Sequence, residues 1–134
     1  MRIFLDANIL FTAAHNPQGK AALVLELGYA GLWQLATSAY ALEEARRNIA
    51  LKFPQCAGQL EALARGLRTV PDNLDLDCPK GLVDKDCPIY RAALASKADV
   101  LLTGDIRDFG FLMNDRTRAA GMLIQTVAEF LDSL

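Results

Sequence analysis

The run "ADVLLTGD", residues 98–105, constrains this chain more than any other stretch. Its apolar residues are consecutive, so a strand built from them leaves neither face for water. Such a strand belongs inside a parallel sheet, and parallel neighbours require crossover helices. The flanking sequence supplies them. "IFLDANIL" starts as a β-rich apolar run, and "NPQGKAALVLELGYAG" reads as a helix capped by Asn16, with Pro17 in its first turn and Gly31 near its end. "LWQLATS" reads as a second strand, followed by a helix from Ala39 to Lys52. A further helix is expected over Gln59–Arg68, then a short strand at "RTVP". "PDNLDLDCPKGLVDKD" is rich in turn formers and reads as a loop. "CPIYRAALASK" is the next helix, with Asp86 at or near its N-cap and Pro88 in the first turn. "GMLIQT" is a last strand, and "TVAEFLDSL" opens with Thr126 and Glu129 at capping-box spacing. Alternating strands and helices predict one α/β domain over residues 1–134, with a mainly parallel sheet covered on both faces.

Composition narrows the function classes. With 52% hydrophobic and 22% charged residues the chain has enough apolar side chains for a core, and no apolar run reaches the roughly 20 residues that span a bilayer. "MRIFLDANIL" holds too short an apolar segment, with an acid inside it, for a secretory signal, so a cytoplasmic protein is expected. The formal charge of −2 argues against a protein that coats nucleic acid, although an enzyme whose own site is acidic is compatible with it. Cys56, Cys78 and Cys87 form no C-x-x-C pair and read as ordinary buried or surface thiols. His15 is the single histidine, which leaves neither a zinc site nor a histidine triad supported. In "AAHNPQG" it reads as a loop residue before a helix.

The acids carry the chemistry. In a parallel sheet, ligands bind beyond the carboxyl ends of the strands. Asp6 ends the first strand, Asp105 follows the late one, and Asp86 stands at the mouth of the helix leading into it. On the helix from Ala39, the residues Leu42, Ala45, Ile49 and Phe53 share one stripe that should face the core. Glu44 lies away from that stripe, and Glu43 stands four residues before Arg47, a favourable ion-pair spacing. Each acid has an ordinary structural reading as well: Asp6 as a turn residue, Asp86 as a helix cap, Asp105 as a turn acid, Asp108 as a cap for "FGFLM", Asp84 and both glutamates as solvated surface. Together they are harder to explain that way, because two bare carboxylates about 6 Å apart repel by about 3 kcal/mol at an effective dielectric near 20. Mg²⁺ or Mn²⁺ offsets such a cluster with hard oxygen ligands and retained waters, and can activate one water against phosphorus.

"FLDANIL", "SAYALEEARRNI", "DKDCPIYRAALASKADVLLTGDIRDF" and "LIQTVAEFL", in that order, resemble the PIN-domain nucleases over essentially the whole chain. The resemblance implies a three-layer α/β/α sandwich and a metal-dependent ribonuclease. By position it makes Asp6, Glu44, Asp86 and Asp105 the catalytic and Mg²⁺- or Mn²⁺-binding acids, with Glu43 one register away from Glu44. Asn8 and Thr103 fall where supporting polar residues stand, and Asp108 is an extra acid or a substitute for Asp105. Many bacterial members are toxins of the VapC type, so the resemblance also implies an RNA substrate, a small antitoxin as partner in toxin members, and a homodimer. Arg46, Arg47, Lys85, Arg91 and Arg107 are the basic residues nearest the acids in sequence, serving either phosphates or surface ion pairs.

Three rivals stand beside this reading. A phosphatase of the haloacid dehalogenase type wants a second Asp two residues after the first, where this chain has Asn8. A receiver domain wants paired acids after the first strand and a lysine after a late one, and neither is present. The third is a non-catalytic binding module that keeps its acids for a partner protein.

Overall fold

A computed structural model describes residues 1–134. Five strands form one sheet: β1 (Arg2–Leu5), β2 (Gln34–Ser38), β3 (Arg68–Val70), β4 (Val100–Leu102) and β5 (Leu123–Gln125). They run in the order β3-β2-β1-β4-β5, and every pairing is parallel. The helices are α1 (Ala7–His15), α2 (Lys20–Tyr29), α3 (Ala39–Lys52), α4 (Ala57–Arg65), α5 (Cys87–Ala95), α6 (Ile106–Phe109) and α7 (Val127–Asp132). From β1 the chain steps outward through β2 to β3, then returns past β1 to β4 and β5. Right-handed crossovers therefore put helices on opposite faces of the sheet for the two directions of travel, which makes the three layers. The reversal lies between β1 and β4, where a crevice opens beyond the strand ends.

Burial of the two central strands explains why their sequences read as unbroken apolar runs. Ile3, Phe4, Leu5, Val100, Leu101 and Leu102 are all at most 3% exposed and belong to one continuous core with Leu10, Leu25, Ile49, Ile89 and Phe109. The stripe on α3 faces that core: Leu42, Ala45 and Ile49 are buried and Phe53 packs against its rim. The capping box on α7 forms, with the Thr126 hydroxyl accepting from the Glu129 N–H and the Glu129 carboxylate accepting from the Thr126 N–H.

Several local expectations are corrected. "ANILFTAAH" is a helix of its own, α1, whose short reach is hidden in the sequence by the apolar strand running straight into it. Asn16 therefore closes α1, and α2 starts later, at Lys20, from Gly19. His15 is the last residue of α1, where its ring stacks on Phe53 at 4.4 Å and tilts against Phe11. Glu43 pairs with Arg46 rather than Arg47, because Arg46 is the cation also drawn to Glu61 on α4. The predicted end of α2 near Gly31 is right, since Gly31 takes φ +97°, a left-handed stop that suits glycine.

The cysteines are the largest departure. Cys78 and Cys87 form a disulfide, while Cys56 stays free. The loop between β3 and α5 folds back and lays Cys78 beside the first residue of α5, a contact that spacing alone does not reveal. Cys87 immediately follows Asp86. A covalent link over so short a loop removes denatured-state entropy worth about 2–3 kcal/mol. Reduction, or Cys78→Ser, is expected to lower the unfolding free energy by that amount in urea titrations. An unchanged midpoint would show that the link contributes no stability.

Candidate metal centre

Asp6 and Thr103 each stand one residue past the registered pair Leu5 and Leu102, so the sheet itself delivers them side by side. Asp6 caps α1 through Oδ1, which accepts from the Ala7 N–H at 2.6 Å. Its Oδ2 accepts from the Thr103 hydroxyl at 2.7 Å and from the Asn8 side-chain amide at 3.3 Å. The Thr103 oxygen in turn accepts from the Asp105 N–H, and the Asn8 carbonyl accepts from the Gly104 N–H at 2.7 Å. Gly104 suits this close approach: a Cβ there would come within 3.3 Å of the Asn8 oxygen, which would have to give by a few tenths of an ångström. Asn8 and Thr103 thus tie the β1 and β4 ends together through hydrogen bonds.

Asp86 and Asp105 arrive from a different direction. A tight 3₁₀ turn over Asp84–Asp86 leads into α5, and it leaves Asp86 buried while Asp84 stays exposed. Asp86 occupies the cap position of α5, yet its side chain makes no cap hydrogen bond. Asp105 does cap, accepting from the Asp108 N–H through Oδ1, which leaves Oδ2 free. Asp108 lies a turn further on α6. One oxygen or more from each of Asp86, Asp105 and Asp108 falls within 4.8 Å of the others. A cation already stands among them: the Lys85 Nζ lies 3.1 Å from Asp86 Oδ2, 3.2 Å from Asp105 Oδ2 and 3.1 Å from Asp108 Oδ2.

The remaining acid, Glu44, is half-buried on α3. It is outside the close triad, but its charge raises the pKa of Asp6 and of Tyr40. Glu43 is exposed and engaged with Arg46, so Glu44 is the glutamate that faces the acids. Among the five basic residues, Arg46 is bound to Glu61 and Arg91 to Asp72 at 2.8 Å, both as surface ion pairs. Arg47 and Arg107 are exposed and form no ion pair. Beside the acids a cavity of about 700 Å³ opens, lined by Asn8, Thr12, Lys20, Thr103, Asp105 and Thr126 among others. Lys20 and Thr12 are cavity residues that the sequence does not single out; Lys20 comes to this wall because α2 begins there, from Gly19, rather than after Asn16.

The electrostatics reflect crowding. Burial is the main cause that pushes Asp6 up to about 6, aided by Glu44 and Asp105 and opposed by the Thr103 and Ala7 hydrogen bonds. Asp86 also rises to about 6, chiefly from desolvation, with Asp105 and Asp6 adding to it and Lys85 opposing. For Asp105, desolvation is outweighed by the Asp108 N–H and by Lys85, and its pKa falls below the usual value. Two carboxylates that resist ionisation next to one that favours it make a site short of positive charge.

The donor set fits a hard divalent ion. It is all carboxylate oxygen, it converges within 4.8 Å, and it draws an ammonium into its centre where no outside cation is supplied.

Comparison with known proteins gives the family and the fold. The PIN domain family model matches residues 2–107. The chain belongs to the PIN domain family. The fold is shared with VapBC2 from Rickettsia felis, solved bound to a DNA fragment from its promoter (TM-score 0.66, 19% identity, covering 94% of this chain and 98% of that one). It is shared too with VapBC-1 from nontypeable Haemophilus influenzae (TM-score 0.62, 18% identity, 96% and 99% covered) and with PAE2754 from Pyrobaculum aerophilum (TM-score 0.59, 20% identity, 99% and 97% covered). No curated protein matches the chain significantly. The family match ends before Asp108, so the third acid of the triad lies just outside this PIN domain's matched segment.

Raised carboxylate pKa values fix the sign of a pH effect. A group whose folded pKa is raised from 3.8 to about 6 favours the fold when protonated, and that contribution disappears as pH climbs through 6. The carboxylates held low, Asp105, Asp72, Glu61 and Glu129, act only below their unfolded values near 4. Without divalent ions the melting temperature is therefore expected to rise as pH falls from 7.5 to 5. Mg²⁺ at pH 7.5 should restore the loss, and Asp6→Asn should flatten the slope. A melting temperature independent of pH over that range would refute the assignment.

Proposed function

We propose that this PIN domain hydrolyses RNA phosphodiester bonds with Mg²⁺ or Mn²⁺ held, directly or through water, by Asp6, Glu44, Asp86 and Asp105. The observation that carries the reading is the convergence of Asp86, Asp105 and Asp108 on one cation-sized position, beside a buried Asp6 already oriented by Thr103 and Asn8. When bound, the ion supplies an activated water and steadies negative charge building on the phosphoryl oxygens. The chain's own residues do the rest. Thr103 and Asn8 hold one Asp6 oxygen and the Ala7 N–H holds the other, so Asp6 would be presented to an ion in a fixed orientation. Asp105 keeps its cap with Oδ1 and offers Oδ2. Asp108 is an additional acceptor in the same ring, and none of these acids is a covalent nucleophile.

The substrate lies across the acidic crevice. Arg47, whose charge is felt by Tyr40 at the crevice, and Lys20, on the wall of the neighbouring cavity, are the cations placed to hold flanking phosphates. The cavity receives the adjoining nucleotide. An antitoxin and a homodimer are part of the same reading, the antitoxin supported by the VapBC structures of like fold. No helix is long and apolar enough to cross a membrane. In a cytoplasmic setting, which suits an RNA target, Cys78 and Cys87 would spend most of their time as thiols.

One observation favours a second reading, a non-catalytic binding module: Lys85 pairs with three of the acids through its own ammonium. Cleavage of single-stranded RNA separates the two. The native protein is expected to cut in Mn²⁺ or Mg²⁺ and to stop in EDTA. Asp6→Asn and Asp86→Asn, each verified as folded, should lose at least about 100-fold in rate. Full activity in both variants, or none in the native protein with either ion, would overturn the nuclease reading.

A further inference from the structure

Lys85 is built into the centre of the acid ring rather than beside it. Its ammonium has three donors and meets three carboxylates, all at 3.1–3.2 Å. Nothing else holds the side chain. It is 57% exposed, while its backbone is pinned separately through the Lys85 carbonyl, which accepts from the Tyr40 hydroxyl at 2.9 Å. The lysine can therefore leave the ring by side-chain rotation with its backbone in place.

A divalent ion and this ammonium exclude each other. Mg²⁺ draws its oxygens to about 2.0–2.1 Å, whereas the ring now spans an ammonium at hydrogen-bond distance. Bringing a second positive charge onto the same oxygens also opposes the first. Asp86 and Asp105 are used by both occupants, so one must go.

We propose that Lys85 is an internal counter-ion that occupies the divalent-cation position and is displaced when the metal binds, its ammonium then standing at the crevice mouth to meet a substrate phosphate. This rests on the nuclease reading above. The tethered amine keeps the acids paired in the metal-free protein and sets a threshold for loading. Apparent metal affinity is reduced by the fraction of time the position is free, so an ammonium in place nine times out of ten weakens binding about tenfold.

Mn²⁺ titration by calorimetry on the full chain tests this without reference to catalysis. Lys85→Gln and Lys85→Met are expected to bind Mn²⁺ about tenfold more tightly than the native protein. Both should melt lower without metal and gain more from Mn²⁺. Arg107→Gln removes a charge next to Asp108 in sequence that makes no ion pair with the ring, and should change affinity less than about twofold, as a screened surface cation does. Lys85 variants within twofold of native, or weaker, would overturn the proposal, as would equal tightening by Arg107→Gln. Should a Lys85 variant misfold, reductive ¹³C-methylation of the native protein gives the answer by NMR. The Lys85 resonance, assigned with Lys85→Arg, is expected to move toward those of solvated lysines on adding Mg²⁺, and a fixed resonance at saturating Mg²⁺ would sink the idea. If no form binds Mn²⁺, the nuclease reading falls and this proposal with it. If the native protein binds and the Lys85 variants bind no better, only this proposal falls.

Discussion

Repulsion among carboxylates at the carboxyl edge of the sheet is the constraint that organises the crevice. Asp6 and Asp86 are buried, and Asp105 and Asp108 adjoin them. Left bare, each close pair costs on the order of a few kcal/mol at an effective dielectric near 20. That is a substantial share of the stability of an ordinary domain. The structure offsets it in three ways at once: hydrogen bonds from Thr103, Asn8 and backbone N–H groups, raised pKa values at the two most buried acids, and the Lys85 ammonium. None of these removes the deficit of positive charge. A site arranged this way has a standing affinity for cations.

The sheet makes that arrangement cheap to position. Register between β1 and β4 places Leu5 against Leu102, so the next residues, Asp6 and Thr103, are neighbours without any loop being specified. The parallel direction of all strands sends both to the same edge. Glu44 reaches this edge because Ser38 ends β2 and caps α3 through its side chain, carrying the helix outward from the same rim. Distant parts of the chain converge because their strands end together, and the core of Ile3, Phe4, Leu101 and Leu102 holds those ends in place.

Much of this was legible in the residues. Continuous apolar runs identified β1 and β4 because burial on both faces leaves no polar alternation, and the stripe on α3 marked the side it buries. The acids were legible for the same reason, as charges set against apolar strands. What escaped was whatever depends on tertiary proximity. α1 was hidden because an apolar helix following an apolar strand shows no change of period at the join. The Cys78–Cys87 link depends on a loop doubling back, and the partner of Glu43 depends on where α4 lays Glu61. Lys85 read as one of five nearby cations. Only the 3₁₀ turn, which aims Lys85 and Asp86 at the same point, distinguishes it from Arg46 and Arg91.

Asp6 and Asp105 divide their work between their two oxygens, and the division explains how a capping residue can also serve a site. Asp6 gives Oδ1 to the first N–H of α1, and Asp105 gives Oδ1 to the Asp108 N–H at the start of α6. A carboxylate has about four acceptor positions, so one cap bond leaves room for other partners. Asp86 follows a different course. It stands at the cap position of α5 without capping, and Pro88 in the first turn removes one of the N–H groups a cap would have served. Its carboxylate is released from the helix and turned wholly to the ring, while the positive end of the α5 dipole still lies behind it. Where the Cys78–Cys87 disulfide is formed, it ties down the residue after Asp86, an acid that no cap bond restrains.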